Sequence, residues 1–367
     1  MESKEIKISL CMIVRNEETT IARCLDSVKG IPDEIVIVDT GSTDSTKDIV
    51  KEFTDKIFDF TWIDDFATAR NYAFSNATMD YILWLDADDI FADSDREKFL
   101  KLKKNFDTSI DVVNMPYLLA FDHHGAVTFS LRRNRLVRRN MNFRWVGAVH
   151  EYLEVYGHVV NSDICVTHRG KAGDDSDRNL KIYEKRKAKG ESFSPRDLYY
   201  YANEQLEHQL YDRAIESYGE FLKTGQGWVE DNISACGKLA DCYQKIGNRE
   251  KQLQYTFKSF EYAPPRAEFC CRLGFHFLDV KQYEQGVFWY KLATQLEKPN
   301  SWGPMIEACW TWLPHLQLCV CYDRLGNHEL AYKHNEIARK YRPENTQVLY
   351  NKKYLEGILG IEPAERS

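Results

Sequence analysis

The sequence predicts an α/β domain followed by an all-α repeat domain, with the change of character near Gly190. Two observations carry this. Before Gly190, short apolar runs alternate with segments of helical periodicity, the order expected of a parallel sheet covered by helices on both faces. After it the strand pattern stops and amphipathic helical segments recur at a nearly constant interval. At 367 residues the chain has room for both, taking about 150 residues per domain as a guide.

Lys7 to Val14 reads as the first strand. It is followed by Arg15, Asn16 and Glu17 and then by a helix with Ile21, Cys24, Leu25 and Val28 on one face. Glu34 to Asp39 is the second strand. It runs into Thr40, Gly41, Ser42, Thr43 and Asp44, where the glycine permits a tight turn and the polar residues cap a helix starting near Ser45. A short strand near Lys56 to Phe60 precedes an acidic, aromatic turn and a helix from about Phe66 to Ala77.

Tyr81 to Leu85 is then an uncharged apolar strand that stops on Asp86, Asp88 and Asp89. Three acids at the end of a buried strand repel one another and are costly to desolvate, so a cation is expected among them. Hard oxygen ligands one residue apart suit Mg²⁺ or Mn²⁺, which take phosphate oxygens in their remaining positions. The plainer alternative is that Asp88 and Asp89 cap the next helix. In open parallel sheets ligands collect beyond the carboxyl ends of the strands. Here those ends carry Arg15, Asn16 and Glu17, then Asp39, then Asp86 and Asp88, a pattern suited to ribose, base and diphosphate. The glycine fingerprints of dinucleotide-binding and nucleotide-hydrolysing folds are absent.

Four segments, SLCMIVRNEE (Ser9 to Glu18), IVIVDTGSTD (Ile35 to Asp44), DFATARN (Asp65 to Asn71) and LWLDADD (Leu83 to Asp89), occur in this order. Together they resemble family 2 glycosyltransferases of the GT-A fold. More narrowly they resemble the bacterial branch that includes the S-glycosyltransferase of sublancin-type glycopeptide bacteriocins. The resemblance covers residues 6–190 and implies that residues 1–190 form a GT-A, Rossmann-like nucleotide-sugar domain. It implies that Asp39 contacts the base, that Glu17 and Asp44 lie near base or ribose, and that Arg70 and Asn71 lie beside the nucleotide. Asp86 should meet ribose or metal, Asp88 should ligate the metal, and Val14, Asn16, Gly41 and Ala87 should complete the nucleotide-sugar pocket.

Beyond Asp88, Val112 to Ala120 and Thr128 to Val137 read as antiparallel strands around a His123-His124-Gly125 turn. The stretch Gly147, Ala148, Val149, His150, Glu151 matches the branch's glycine-valine-His-Glu motif. Inverting displacement of a nucleoside diphosphate needs a base on the acceptor's side. Glu151 is the candidate, with His150 as neighbour or substitute. Adjacent strand positions face opposite ways, so one of the two is expected in the site; the plainer reading makes both polar strand-end residues. Asp163 to Arg169 forms the last strand and ends on His168, which by the resemblance completes the metal shell. An imidazole there favours Mn²⁺ over Mg²⁺; the bland alternative is a hydrogen-bonded polar histidine. Lys171 to Asp177 reads as a loop that closes over nucleotide, or as an exposed turn, before a helix from Arg178 to Lys189. The basic cluster Arg132, Arg133, Arg135, Arg138 and Arg139 is either an anion site or a solvated strand face.

In residues 191–367 the short positions Ala214, Gln252, Gly286 and Ala331 are separated by 38, 34 and 45 residues. That is near the tetratricopeptide period of about 34, with an insertion around Glu297 to Trp312. Such helix pairs stack into a superhelix with a groove. Five of the eight tryptophans, Trp228, Trp289, Trp302, Trp310 and Trp312, fall here, as inter-repeat core or as anchors for a polypeptide.

Charged residues at 29% and a net charge of -7 describe an ordinary soluble protein without a nucleic-acid footprint. No run approaches a membrane span of about 18 apolar residues, and the N-terminus lacks a signal-peptide pattern, so a cytoplasmic protein is expected. The ten cysteines show neither C-x-x-C nor zinc spacing and read as reduced core residues. The expected activity is metal-dependent, inverting transfer of sugar from a UDP-linked donor to a peptide or protein side chain. The alternatives are a surface-glycan acceptor such as lipopolysaccharide, or a repeat scaffold with an inactive transferase domain; self-association as a homo-oligomer through the repeats stays open.

Overall fold

The computed structural model describes residues 3–121, 127–170, 177–299 and 305–361. The chain divides into two compact units, Met1–Ser192 and Phe193–Ser367. The His123-His124-Gly125 turn, most of the loop from Lys171 and Trp302 lie outside the described residues.

The strands of the first unit are β1 (Ser3–Lys4), β2 (Ile8–Val14), β3 (Glu34–Asp39), β4 (Ile57–Asp59), β5 (Tyr81–Trp84), β6 (Asp89–Ile90), β7 (Phe106–Asp107), β8 (Val112–Phe121), β9 (Val127–Arg138), β10 (Arg144–Val146), β11 (Tyr152–Glu154), β12 (Val159–Asn161) and β13 (Val166–His168). Its helices are α1 (Ile21–Ser27), α2 (Thr46–Val50), α3 (Phe66–Ser75), α4 (Asp93–Lys104) and α5 (Arg178–Ala188). The main sheet runs β4-β3-β2-β5-β9-β8-β13-β6, with β12 beside β8. The first four strands in that order are parallel, as the apolar runs predict. β9 then pairs antiparallel with both β5 and β8, which makes the sheet mixed.

Alternation along β2 explains why the run is almost wholly apolar. Leu10, Met12 and Val14 enter one core with Ile21 and Leu25 of α1 and Val28 just beyond it, while Cys11 enters a second core with Ala67 and Ala73 of α3. Both faces are covered, and the one polar residue, Ser9, is buried with its hydroxyl donating to Glu34. From β2 the chain winds outward through β3 and β4, then returns to place β5 on the other side of β2. The carboxyl ends of β2 and β5 therefore flank the point where the strand order reverses, the place where open sheets form a crevice.

Two expectations change. Asp88 and Asp89 do not cap α4, which starts at Asp93 after Ala92; Asp89 instead begins β6. His150 and Glu151 are not strand residues facing opposite ways but sit in the connection between β10 and β11, with His150 at φ 50°.

The second unit consists of helices α6 (Pro195–Glu207), α7 (Tyr211–Thr224), α8 (Val229–Lys245), α9 (Arg249–Lys258), α10 (Ala267–Asp279), α11 (Tyr283–Gln295), α12 (Glu307–Trp310), α13 (Leu313–Arg324), α14 (His328–Tyr341) and α15 (Thr346–Leu359). α6/α7, α8/α9, α10/α11 and α13/α14 form helical hairpins, and α12 lies in the longer interval. Ala214, Gln252, Gly286 and Ala331 each occupy the second helix of a hairpin and are buried. A Cβ on Gly286 would come within 3.2 Å of Cys321 Sγ, which explains the short residue. Each hairpin turns through one left-handed residue: Gln209 (φ 58°), Gly247 (φ 78°), Lys281 (φ 60°) and Gly326 (φ 75°). These sit at one fixed offset before the four short positions, so the repeat is a backbone repeat as well as a packing one. The cysteines are free thiols, all buried except the half-exposed Cys165. Among the described residues no helix is long and apolar enough to cross a membrane.

Candidate active site

A cleft of about 390 Å³ opens beside the ends of β2 and β5. Of the residues singled out from the sequence, Val14, Glu17, Arg70, Asp86, Ala87, Asp88, His150, Glu151 and His168 line it. His150 and Glu151 both do so, because the loop that carries them turns instead of continuing as a strand.

The three acids after β5 have different surroundings. Asp89 is fully buried, and its Oδ2 is 2.9 Å from Nη1 of the equally buried Arg135. Burial pushes the Asp89 carboxyl up even though Arg135 pulls against it. Asp86 accepts from Arg70 Nη2 at 2.6 Å. Burial would raise the Asp86 carboxyl too, but Arg70 and Arg135 bring it below the usual range. Asp88 has neither arginine; its Oδ1 lies 3.6 Å from His168 Nδ1.

Donor atoms of Asp88, Asp89 and His168 all lie within 4.8 Å of one another. Asp89 Oδ1 is buried without a hydrogen-bond partner, 3.9 Å from His168 Nδ1. Two carboxylate oxygens, one of them orphaned, and an imidazole nitrogen fit a divalent cation. The hydrogen bond to Asp88 raises the His168 imidazole above its ordinary value, outweighing the effect of burial. The Tyr117 hydroxyl is 3.1 Å from the same nitrogen. Gly170 passes so close that a Cβ there would stand 2.5 Å from His168 Nε2.

Across the cleft, Arg70 Nε donates to Glu151 Oε1 at 2.6 Å. The Arg70 guanidinium carbon lies 5.0 Å from the Trp84 centroid and 4.8 Å from that of Trp145, beside two indoles that meet edge to face at 4.7 Å. The loop bearing Glu151 is tied to α3 by the bond from Phe66 N to Ala148 O at 2.9 Å.

Five singled-out residues do not line the cleft. Asn71 brackets the backbone of Trp145, donating to its carbonyl and accepting from its amide, both at 2.9 Å. Asn16 Oδ1 accepts from Thr43 N, and Asp44 accepts from Thr46 and from Glu18 N, so both hold the turn after β3. Asp39 Oδ1 accepts from the amides of Gly41, at φ 104°, and Ser42; its buried Oδ2 has no hydrogen-bond partner. The basic cluster is not one shared face but is divided among separate partners. Arg135 pairs with Asp89, Arg138 with Asp111, Arg132 and Arg139 cap carbonyls, and Arg133 lines the cleft. Sequence reading overlooked Tyr117, Trp84 and Trp145. The signal for Arg135 was a charge beside the apolar pair Leu136 and Val137, on a strand meant to be buried.

A mixed sheet with a cleft at the switch point of its parallel strands, and acids after β5 facing a carboxylate on a later loop, can now be set beside known proteins. Residues 9–153 match the model of glycosyl transferase family 2. This family 2 segment takes in the cleft residues from Val14 to Glu151 and leaves His168 beyond its end. The chain is 34% identical over 179 residues to the glycosyltransferase SunS from an SPbeta prophage of Bacillus subtilis, covering 48% of this chain and 39% of that one. It is 38% identical over 154 residues to a TPR repeat-containing protein of Synechococcus elongatus, covering 40% of this chain and 36% of that one. The matched segments thus span less than two fifths of either relative. The structure of YrrB, a TPR protein, aligns with 48% of this chain and 83% of its own at a TM-score of 0.38 and 17% identity.

Proposed function

We propose that this protein is an inverting glycosyltransferase that moves a sugar from a UDP-linked donor to a side chain of a peptide or protein. The observation that carries the reading is the convergence of two groups on one cleft: Asp88 and His168, backed by the buried Asp89, and the Arg70-held carboxylate of Glu151. Asp88 and His168, with the buried Asp89 oxygen behind them, would hold Mn²⁺ or Mg²⁺, which supplies charge to offset that of a departing diphosphate. Glu151 spends Oε1 on Arg70 and keeps Oε2 for the acceptor's hydroxyl or thiol proton. The acceptor oxygen or sulfur bonds to the anomeric carbon as the opposite carbon–oxygen bond breaks, its electron pair leaving with the diphosphate. The match to family 2 supports the donor half. The helical hairpins of the second unit support a polypeptide acceptor, because stacked repeats present extended binding surfaces. The free thiols fit a reducing compartment such as the cytoplasm.

The test is calorimetry of the full chain against UDP, GDP and CDP, each with and without Mn²⁺, followed by donor turnover. Mn²⁺-dependent binding of UDP is expected, lost in Asp88→Ala without loss of fold. Glu151→Gln should bind UDP as the wild type does and fail in transfer; if it turns over normally, the base is His150. A folded sample that binds no nucleotide overturns the reading.

A further inference from the structure

We infer that Arg70 is a positioning residue, which holds the Glu151 carboxylate in register with Asp86, instead of a ligand of the nucleotide. The inference rests on the proposed transferase reading. Its ground is the bridge that the guanidinium makes between two carboxylates. Nε donates to Glu151 Oε1 and Nη2 to Asp86 Oδ1, both at 2.6 Å. The guanidinium carbon lies 5.0 Å from the Trp84 centroid and 4.8 Å from that of Trp145, two rings that meet edge to face, and the side chain is 10% exposed. Two carboxylates on one largely covered cation leave little positive charge for a diphosphate.

The contacts continue away from the base. Arg135 lies 4.0 Å from the Trp84 centroid and 4.5 Å from that of Tyr117, and the Tyr117 hydroxyl is 3.1 Å from His168 Nδ1. A chain of ring and guanidinium contacts thus links the base to the donors that fit a cation, and Arg70 is its end beside Glu151. A planar fork that bridges two carboxylates is a task for arginine that lysine cannot perform. A base displaced by about 1 Å costs on the order of 100-fold in rate, so fixing its distance from the donor end is worth a residue.

The experiment compares wild type, Arg70→Lys and Arg70→Met in the full chain. It reads UDP affinity with Mn²⁺ by calorimetry, and kcat and KM for the donor. The expected result is a UDP dissociation constant within about threefold of wild type and a kcat lower by on the order of 100-fold in Arg70→Met, with a smaller loss in Arg70→Lys. If Arg70→Met does not fold, Trp145→Phe shrinks a ring beside the guanidinium while keeping the charge, and the same split is expected of it. A UDP affinity that falls tenfold or more with kcat retained makes Arg70 a nucleotide ligand and overturns the inference. Variants that behave as wild type overturn it alone; a wild type that neither binds nor turns over donor removes the parent reading and this one together.

Discussion

Gly170→Ala should damage the proposed cation site while sparing the fold, and the geometry says by how much. A Cβ at this position would lie 2.5 Å from His168 Nε2, 2.9 Å from Cε1 and 3.3 Å from Asp88 Oδ2. Ordinary carbon contacts begin near 3.5 Å, so the imidazole must give by about 1 Å. It can do so cheaply for stability, because the ring ends a side chain that is 35% exposed. It cannot do so cheaply for coordination, where ligand distances tolerate only about 0.2 Å. Displacing a ligand's support typically lowers metal affinity by about 10- to 100-fold, or roughly 1.4 to 2.7 kcal/mol. Calorimetric titration of Mn²⁺ into the UDP-bound protein reads that loss, and a melting curve of the metal-free protein reads the fold. Unchanged Mn²⁺ affinity at an unchanged melting temperature would refute a ligand role for His168. A metal-free melting temperature lowered by more than about 4 °C, of order 1 to 2 kcal/mol for a domain of this size, would show that the backbone yields instead of the ring.

Two further expectations concern the frame. Burial would raise the Glu34 carboxyl, but hydrogen bonds from Lys56, Ser9 and Thr78 outweigh it and hold it at about 2. A folded value below the unfolded one stabilises the protein above the unfolded value and loses that stabilisation as pH falls towards 2. About 2 kcal/mol should drain away between pH 6 and pH 3, and thermal unfolding of Glu34→Gln should show a shallower pH dependence by that amount; parallel curves would contradict the linkage. In the second unit, Gly274→Ala would bring a Cβ within 2.7 to 2.8 Å of three ring atoms of Tyr290, itself 1% exposed. Urea unfolding should register a loss of about 1 to 3 kcal/mol, and a neutral result would mean that α10 and α11 separate without cost.

The parts of the fold that were legible are those in which one local rule acts at every residue. β2, β3 and β5 could be read because burial on two faces leaves few polar positions, and all but one residue each of β2 and β3, and every residue of β5, is buried. The repeat could be read because every hairpin needs a short residue at one offset, and the left-handed residues Gln209, Gly247, Lys281 and Gly326 keep the same spacing. β6 and β10, at two and three residues, are too short to carry a period. They are specified by pairing with β13 and β11, which no local pattern announces. The same limit explains His150 and Glu151. A strand reading sends them to opposite faces, whereas Gly147 at φ 101° and His150 at φ 50° bend the chain so that both reach the cleft.

The charge balance of the acids shows most clearly what the sequence withheld. Three carboxylates after an apolar strand raise the question of counter-charge, which Asp86, Asp88 and Asp89 pose in the sequence alone. How it is answered depends on partners far along the chain: Arg70 for Asp86, and Arg135, buried in β9, for Asp89. A pattern reading assigns Arg135 to solvent with the rest of its cluster, because charge in a strand is normally exposed; only the acid opposite makes its burial affordable. With two acids served internally, Asp88 is left with His168, a far weaker counter-charge than a guanidinium. The negative charge left without a guanidinium therefore does not spread over three residues but narrows to Asp88, beside the buried Oδ1 of Asp89. An Asp88→Asn protein should accordingly be no less stable than wild type without metal, whereas Asp89→Asn, which strands a buried guanidinium, should lose about 3 to 5 kcal/mol in the same unfolding assay.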